Sequence, residues 1–219
     1  MESFAAPAAT SKPRQQQGEE TRRAILKAAM DVASARGLEG LTIGDLAKEL
    51  GMSKSGLFAH FGSKEELQIA TIEAAEKVFA ESVIKPVRDK PEGWPRLAAL
   101  LESFLKYAEG SVFPGGCFFA AVSAEYDTRP GRIRDRIAQS IGSWRELLEK
   151  EVRKGQESEA IDPSIEPAQL VFELRALLQE ANYSHQLLRE EGMFDRARRA
   201  IRNRLLAAAT DEGRGLLSE

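Results

Sequence analysis

Between Thr42 and Leu67 the chain reads TIGDLAKELGMSKSGLFAHFGSKEEL, a run that few folds can accommodate. Leu46 and Leu50 share one helical face, and Ala47 is small where a second helix would cross closely. Gly51 follows four residues after Ala47, at a sharp turn where a left-handed backbone is easiest for glycine. Met52, Leu57 and Phe61 resume the apolar pattern. Thr42-Ile-Gly-Asp45 fits a capping box, Ser53 can cap the helix after the turn, and Ser63-Lys-Glu-Glu66 fits a second box that opens a longer helix. Three helix starts around one tight turn describe two short helices and the beginning of a third. Helices this short cannot bury their faces alone, so flanking helices are required.

The flank upstream is present. From Glu20 to Arg36, Ile25, Ala28, Ala29 and Val32 recur at helical spacing, and Gly37 is a natural stop. The whole arrangement is helix-turn-helix geometry, which lays a second helix in the major groove of double-stranded DNA. Thr42 caps the first helix of the pair, whose N-terminus suits a phosphate. Lys54 opens the second and can reach phosphate or guanine edges. Ser53 and Ser55 are small donors beside it, and His60 lies one turn beyond Gly56 on the same expected face. No cluster of Cys, His and carboxylate accompanies His60, so no metal and no other cofactor is expected.

A set of residues carries a more specific likeness: the alanine-rich first helix ending at Gly37, Gly40-Leu41-Thr42, Ile43, Leu46-Ala47, Gly51-Met52-Ser53-Lys54, Leu57, and His60-Phe61-Gly62-Ser63-Lys64-Glu65-Glu66-Leu67. Through them residues 20–67 resemble the DNA-binding domain of the tetracycline-repressor (TetR) family of bacterial regulators. The resemblance implies a regulator rather than an enzyme, with a second, divergent, all-helical domain that dimerises and binds an inducer. It also implies that Lys64 contacts phosphate. The recognition helix departs from the family pattern. Gly56 stands where threonine is common, Phe58 where a tyrosine commonly gives its hydroxyl to phosphate, and Ala59 where a larger residue is usual. Gly56 costs about 1 kcal/mol of helix propensity relative to alanine and offers no side chain to a base. Ala59 suits a thymine methyl.

Net charge is −3, so no overall basic field points to nucleic acid. Read locally, Lys12, Arg14, Arg22, Arg23, Lys54 and Lys64 lie in or beside the DNA-facing segment, and a small reader needs only a local patch. The single cysteine, Cys117, excludes an intrachain disulfide and fits a reducing cytoplasm. No run of about 18 apolar residues exists to span a membrane. The first residues have neither a basic start nor a long apolar core, so no secretory signal is expected. Their Ala, Pro, Ser and Gln content predicts a disordered arm over 1–18, in which Lys12 and Arg14 can touch phosphate or a minor groove.

Downstream the pattern stays helical. Ser63 opens a helix that runs toward Ile84 and stops before Pro86, and Lys90-Pro-Glu-Gly-Trp-Pro95 is a joint. Five more helices are predicted over about 95–109, 117–126, 130–154, 166–191 and 194–209, with no strand pattern. The chain is thus all-α: a helix-turn-helix domain over 19–67, a larger domain over 68–210, and a fraying tail over 211–219. Its aromatic residues suit an apolar effector cavity, with Phe104, Tyr107, Phe118, Tyr126, Trp144, Phe172 and Tyr183 as candidate walls. Leu174, Leu177, Leu178, Ala181, Leu188, Ala197, Ile201 and Leu205, on the last two long helices, are more apolar surface than one stripe needs, and are expected to pair with a two-fold copy into a four-helix bundle. Cys117, at a helix start, offers a second route of control through thiol oxidation.

Overall fold

A computed structural model describes residues 14–216. Ten α-helices follow one another among the described residues: α1 Arg14–Arg36, α2 Ile43–Glu49, α3 Lys54–Phe61, α4 Lys64–Phe79, α5 Trp94–Glu109, α6 Phe118–Tyr126, α7 Arg132–Glu157, α8 Pro167–Tyr183, α9 Met193–Ala208 and α10 Asp211–Leu216. The only β-like pairing among them is an isolated antiparallel bridge between Ile161 and Ala209. Two differences from expectation lie at the ends. Residues 14–18 belong to α1 rather than to an arm, and residues 211–216 form a short helix where a fraying tail was expected. The Thr210 hydroxyl accepts the Gly213 N–H at 3.1 Å, a side-chain cap that fixes this last turn. Lys12 lies outside the described residues.

The three predicted caps are present. The hydroxyls of Thr42, Ser53 and Ser63 accept the N–H groups of Asp45, Gly56 and Glu66 at 3.0, 3.0 and 3.1 Å. Each satisfies one of the orphan donors that open a helix. Gly51 takes φ +64° in the turn between α2 and α3. Leu46, Ala47, Leu57 and Phe61 are buried in the same core as Ile25 and Ala29 of α1. Arg22 closes the far end of α3: it donates to the His60 carbonyl at 2.8 Å and its guanidinium lies 4.4 Å from the centroid of the Phe61 ring. Arg22 is therefore part of the scaffold under the recognition helix and not one of its free cations.

The larger part is built from single-stripe amphipathic helices. Ile133, Ile137, Leu148 and Val152 of α7 are buried at helical spacing, as are Leu97, Leu101, Phe104, Leu105 and Ala108 of α5. Past Phe79 the chain of α4 continues through a π-helical turn, Ala80–Ile84, and a short 3₁₀ turn that contains Pro86, a residue with no N–H to extend the helix.

The two parts meet where α6 lies against α1. The loop before α6 approaches α1 so closely that a Cβ on Gly115 would sit 1.8 Å from the Ser34 carbonyl oxygen, and the Gly115 N–H donates to the Ser34 hydroxyl at 3.2 Å. Only a residue without a side chain fits there, because the obstacle is backbone. Gly115→Ala is expected to lower stability by on the order of 2–3 kcal/mol, read as a lower urea midpoint at unchanged slope. An unchanged midpoint would show that the α1–α6 joint opens freely.

Candidate DNA interface and interior cavity

Lys54, Ser55, Phe58 and Ala59 are exposed on one face of α3, and Thr42 is exposed at the start of α2. Gly56 and His60 flank that face and are partly covered. The Ser53 and Ser55 hydroxyls lie 3.2 Å apart at the helix start. A Cβ placed on Gly44 would meet the Lys54 ammonium at 3.4 Å and the Thr42 hydroxyl at 3.9 Å, so Thr42 and Lys54 converge over the first turn of α2. Phe58 is 48% exposed, an apolar ring presented to water at a position where the subunit core makes no use of it. Lys64, at the start of α4, is half-exposed and already engaged: its ammonium donates to the Glu39 carbonyl and to the Glu39 carboxylate, both at 3.0 Å.

Glu39 ties this face to the larger part. Its carboxylate also accepts the Tyr126 hydroxyl of α6 at 2.8 Å. The hydrogen bond from Lys64, then that from Tyr126, holds the Glu39 carboxyl below its ordinary value. Burial, then the Glu39 carboxylate, pushes the Tyr126 phenol up. Beside it the Glu125 carboxylate accepts the N–H groups of Leu38 and Glu39 at 2.7 and 2.9 Å. Buried Gln68 of α4 donates to the Leu38 carbonyl at 2.8 Å and to the Tyr126 oxygen at 3.3 Å. Tyr126 thus belongs to the joint and not to an effector cavity. Glu39, Gln68 and Glu125 are a connection that no local pattern announces.

A cavity of about 390 Å³ lies between α4, α5, α6, α7 and α8, within the size range of small-molecule sites. Phe79, Phe104, Phe119 and Trp144 form its aromatic wall. Phe79 is the hub, with its ring edge-on to Trp144 at 5.2 Å and to Phe104 at 6.2 Å. Of the residues expected to line such a site, Phe104 and Trp144 do so. Tyr107 and Phe118 are buried behind the wall, 5.5 Å from Phe79 and 5.4 Å from Phe119 respectively. Phe172 and Tyr183 are 68% and 54% exposed on the outside of α8, because α8 turns Leu170, Leu174 and Leu178 inward and those two outward. Phe79, Phe119, Glu76, Arg136, Ser140 and Arg175 are lining residues that were not among the candidate walls. Glu76 accepts hydrogen bonds from Arg136 and Ser140 inside the cavity.

Cys117 lines the cavity floor. Its thiol is buried, and burial pushes its pKa up. Its N–H donates to Asn182 of α8 at 3.1 Å. Low exposure and a disfavoured thiolate are the opposite of what a reactive cysteine needs. Among the described residues no group of three or more His, Cys, Asp or Glu is placed to hold a metal, and no helix is long and apolar enough to cross a membrane.

The surface expected to pair two copies is also redistributed. Leu174, Leu178, Ala181, Ala197, Ile201 and Leu205 are buried inside the subunit, and Leu177 packs partly buried against the same core. The reason is that α9 has one apolar stripe, not two, and it faces α8; Arg196, Arg199 and Arg202 occupy its outer side. Leu188 stays exposed, and Phe172, Tyr183 and Leu187 join it on the outside.

This architecture has close parallels among known proteins. The family model of the bacterial regulatory proteins of the tetR family matches residues 25–71, and that of the tetracyclin repressor-like C-terminal domain matches residues 93–201. The nucleoid occlusion factor SlmA of Aliivibrio fischeri is 30% identical over 142 residues, 63% of this chain and 71% of that one. SlmA of Haemophilus influenzae is 32% identical over 75 residues, a match that spans only 34% of either protein's length. A TetR transcriptional regulator from Chloroflexus aurantiacus superposes with a TM-score of 0.82 over 89% of this chain and 98% of that one, at 24% identity, a likeness of fold. With its capped α2–α3 pair on α1 and its larger helical part behind, the chain belongs to the TetR family of DNA-binding transcriptional regulators.

Proposed function

We propose that the chain is a homodimeric, cytoplasmic transcriptional repressor, released from a palindromic operator by a small apolar or amphipathic effector. Residues 19–67 act as the reading head, with Thr42, Ser53, Lys54, Ser55, Gly56, Phe58, Ala59, His60 and Lys64 against DNA, and residues 68–210 bind effector and partner. The observation that carries this reading is the course of α4. Its first residue, Lys64, comes directly after α3, and Glu76, Phe79 and the following Ala80 are in the cavity wall. One helix therefore touches both sites. α6 makes the same connection, with Phe119 in the wall and Glu125 and Tyr126 on the α1–α2 turn. An effector shifts operator affinity only if it binds the DNA-competent and released conformations differently. A ligand that pushes Phe79 or Phe119 changes the position of α4 or α6, and with it the spacing of two recognition helices. Burial of the Cys117 thiol favours this reading over oxidation as the signal.

Lys64→Ala is expected to weaken binding to specific and non-specific DNA alike and to make the salt slope shallower by about 1. A slope and affinity equal to the parent's would remove Lys64 from the interface.

For assembly, the outer face of α8 and of the π-helical turn that follows it, Ser184–Leu188, is the proposed seam. Phe172→Glu together with Leu187→Glu is expected to give monomers in light scattering and to abolish tight binding to two half-sites a helical turn or a multiple of about 34–36 Å apart. Dimers that survive both changes would place the seam elsewhere.

For the switch, Trp144 fluorescence is expected to respond to an effector over the same concentrations that release DNA. Trp144→Ala is expected to blunt release and leave ligand-free DNA binding intact. If every effector releases that variant with parental potency, the cavity is not the effector site.

A further inference from the structure

Three charged side chains line the cavity: Glu76, Arg136 and Arg175. The first two neutralise each other. Arg175, on α8, has no carboxylate at ion-pair distance among the described residues. The charge that acts on it is that of another cation, Arg145, whose own partner is Glu149 at 3.6 Å. Burial pushes the Arg175 guanidinium below its ordinary value, and Arg145 pushes the same way. The remaining wall carries no charge: Phe79, Phe104, Phe119, Trp144 and Leu178 are among its apolar residues, and Gln139, Ser140, Ser143 and Gln179 are its neutral polar ones. A half-desolvated guanidinium in the wall of a largely apolar cavity, next to a like charge, is without a counter-ion among the described residues.

We propose that the cavity takes an amphipathic organic monoanion, with its acid group paired to Arg175 and its apolar, aromatic body among Phe79, Phe104 and Trp144. This rests on the reading of the cavity as the effector site and names the chemistry of its ligand. The guanidinium fork accepts a carboxylate in two parallel charge-assisted hydrogen bonds. Edge-on and stacked rings around Phe79 suit a flat ligand body. A neutral analogue fills the same space and leaves Arg175 without a partner. A cationic analogue adds a second repulsion. Selection by charge therefore comes from one residue, and selection by shape from the ring wall.

The test uses the full chain and three probes of one shape: 2-naphthoate, 2-naphthamide and 2-naphthylmethylammonium. Each is titrated by calorimetry into the parent, Arg175→Gln and Arg175→Lys. In the parent, naphthoate is expected to bind roughly ten-fold or more tighter than the amide, and the ammonium weakest. Arg175→Gln is expected to remove that advantage and to leave the amide within about two-fold of its parental affinity, which also shows that the cavity remains formed. Arg175→Lys is expected to restore part of the preference. Equal binding of naphthoate and amide to the parent, naphthoate affinity untouched by Arg175→Gln, or no binding of naphthoate at all would each overturn the proposal. Release of operator DNA is followed in parallel. Naphthoate that binds through Arg175 without releasing DNA refutes the switch and leaves the anion site standing. Amide that releases DNA from the parent at the same concentrations as naphthoate keeps the switch and refutes the anion site.

Discussion

Two backbone N–H groups just past the end of α1, those of Leu38 and Glu39, have no helical carbonyl to donate to. The Glu125 carboxylate takes both, at 2.7 and 2.9 Å. Hydrogen bonds to an ionised acceptor are the strong kind, and this pair comes from a residue of α6, far away in sequence. Water could satisfy the same donors but would leave the turn free to pivot. With Glu125 in place the α1–α2 turn has one position relative to α6, and α2 and α3 follow from it through their shared core with α1. The close passage of Gly115 over Ser34 adds a steric stop to the same joint.

The cavity sits at the other end of the elements that leave this joint. Packed interiors do not absorb displacement smoothly, so a change at Phe79 or Phe119 has to be accommodated along α4 or α6. Polar ties run along α4 toward α7: Arg132 to Glu65 and Glu66 at 2.9 and 2.7 Å, then Arg136 and Ser140 to Glu76. They make α7 move with α4 and not merely slide beneath it. Differential affinity for two arrangements of such a unit is all that the proposed control requires.

Much of the reading head was legible because its determinants are local. Thr42, Ser53 and Ser63 lie three residues before the N–H groups they cap, and Gly51 forms its turn with its immediate neighbours. The downstream helices were legible as well, since apolar spacing reports an amphipathic face. What spacing does not report is the partner of that face. Leu174, Ile201 and Leu205 read equally well as subunit core or as dimer surface, and the structure puts them in the core. The count of aromatic residues likewise pointed to a cavity without saying which rings reach it. Phe172 and Tyr183 face outward by a rotation of α8 that its sequence leaves open, whereas Phe79 enters from α4, a helix whose aromatic residue was not among the candidates. Glu125 and Gln68 were illegible for a simpler reason: their partners lie 87 and 30 residues away.

Glu39 places one carboxylate between Lys64 and the Tyr126 hydroxyl. Such a shared acceptor makes the three side chains a single thermodynamic unit. Removing Tyr126 changes the field and the geometry at the Lys64 ammonium, and removing the Glu39 side chain leaves the ammonium with only the residue-39 carbonyl and the phenol without its acceptor. Single substitutions in this trio are therefore non-additive, and only a double-mutant cycle separates the pairwise couplings from the sum. The apparent share of Lys64 in any measured affinity includes a contribution that belongs to a residue on α6.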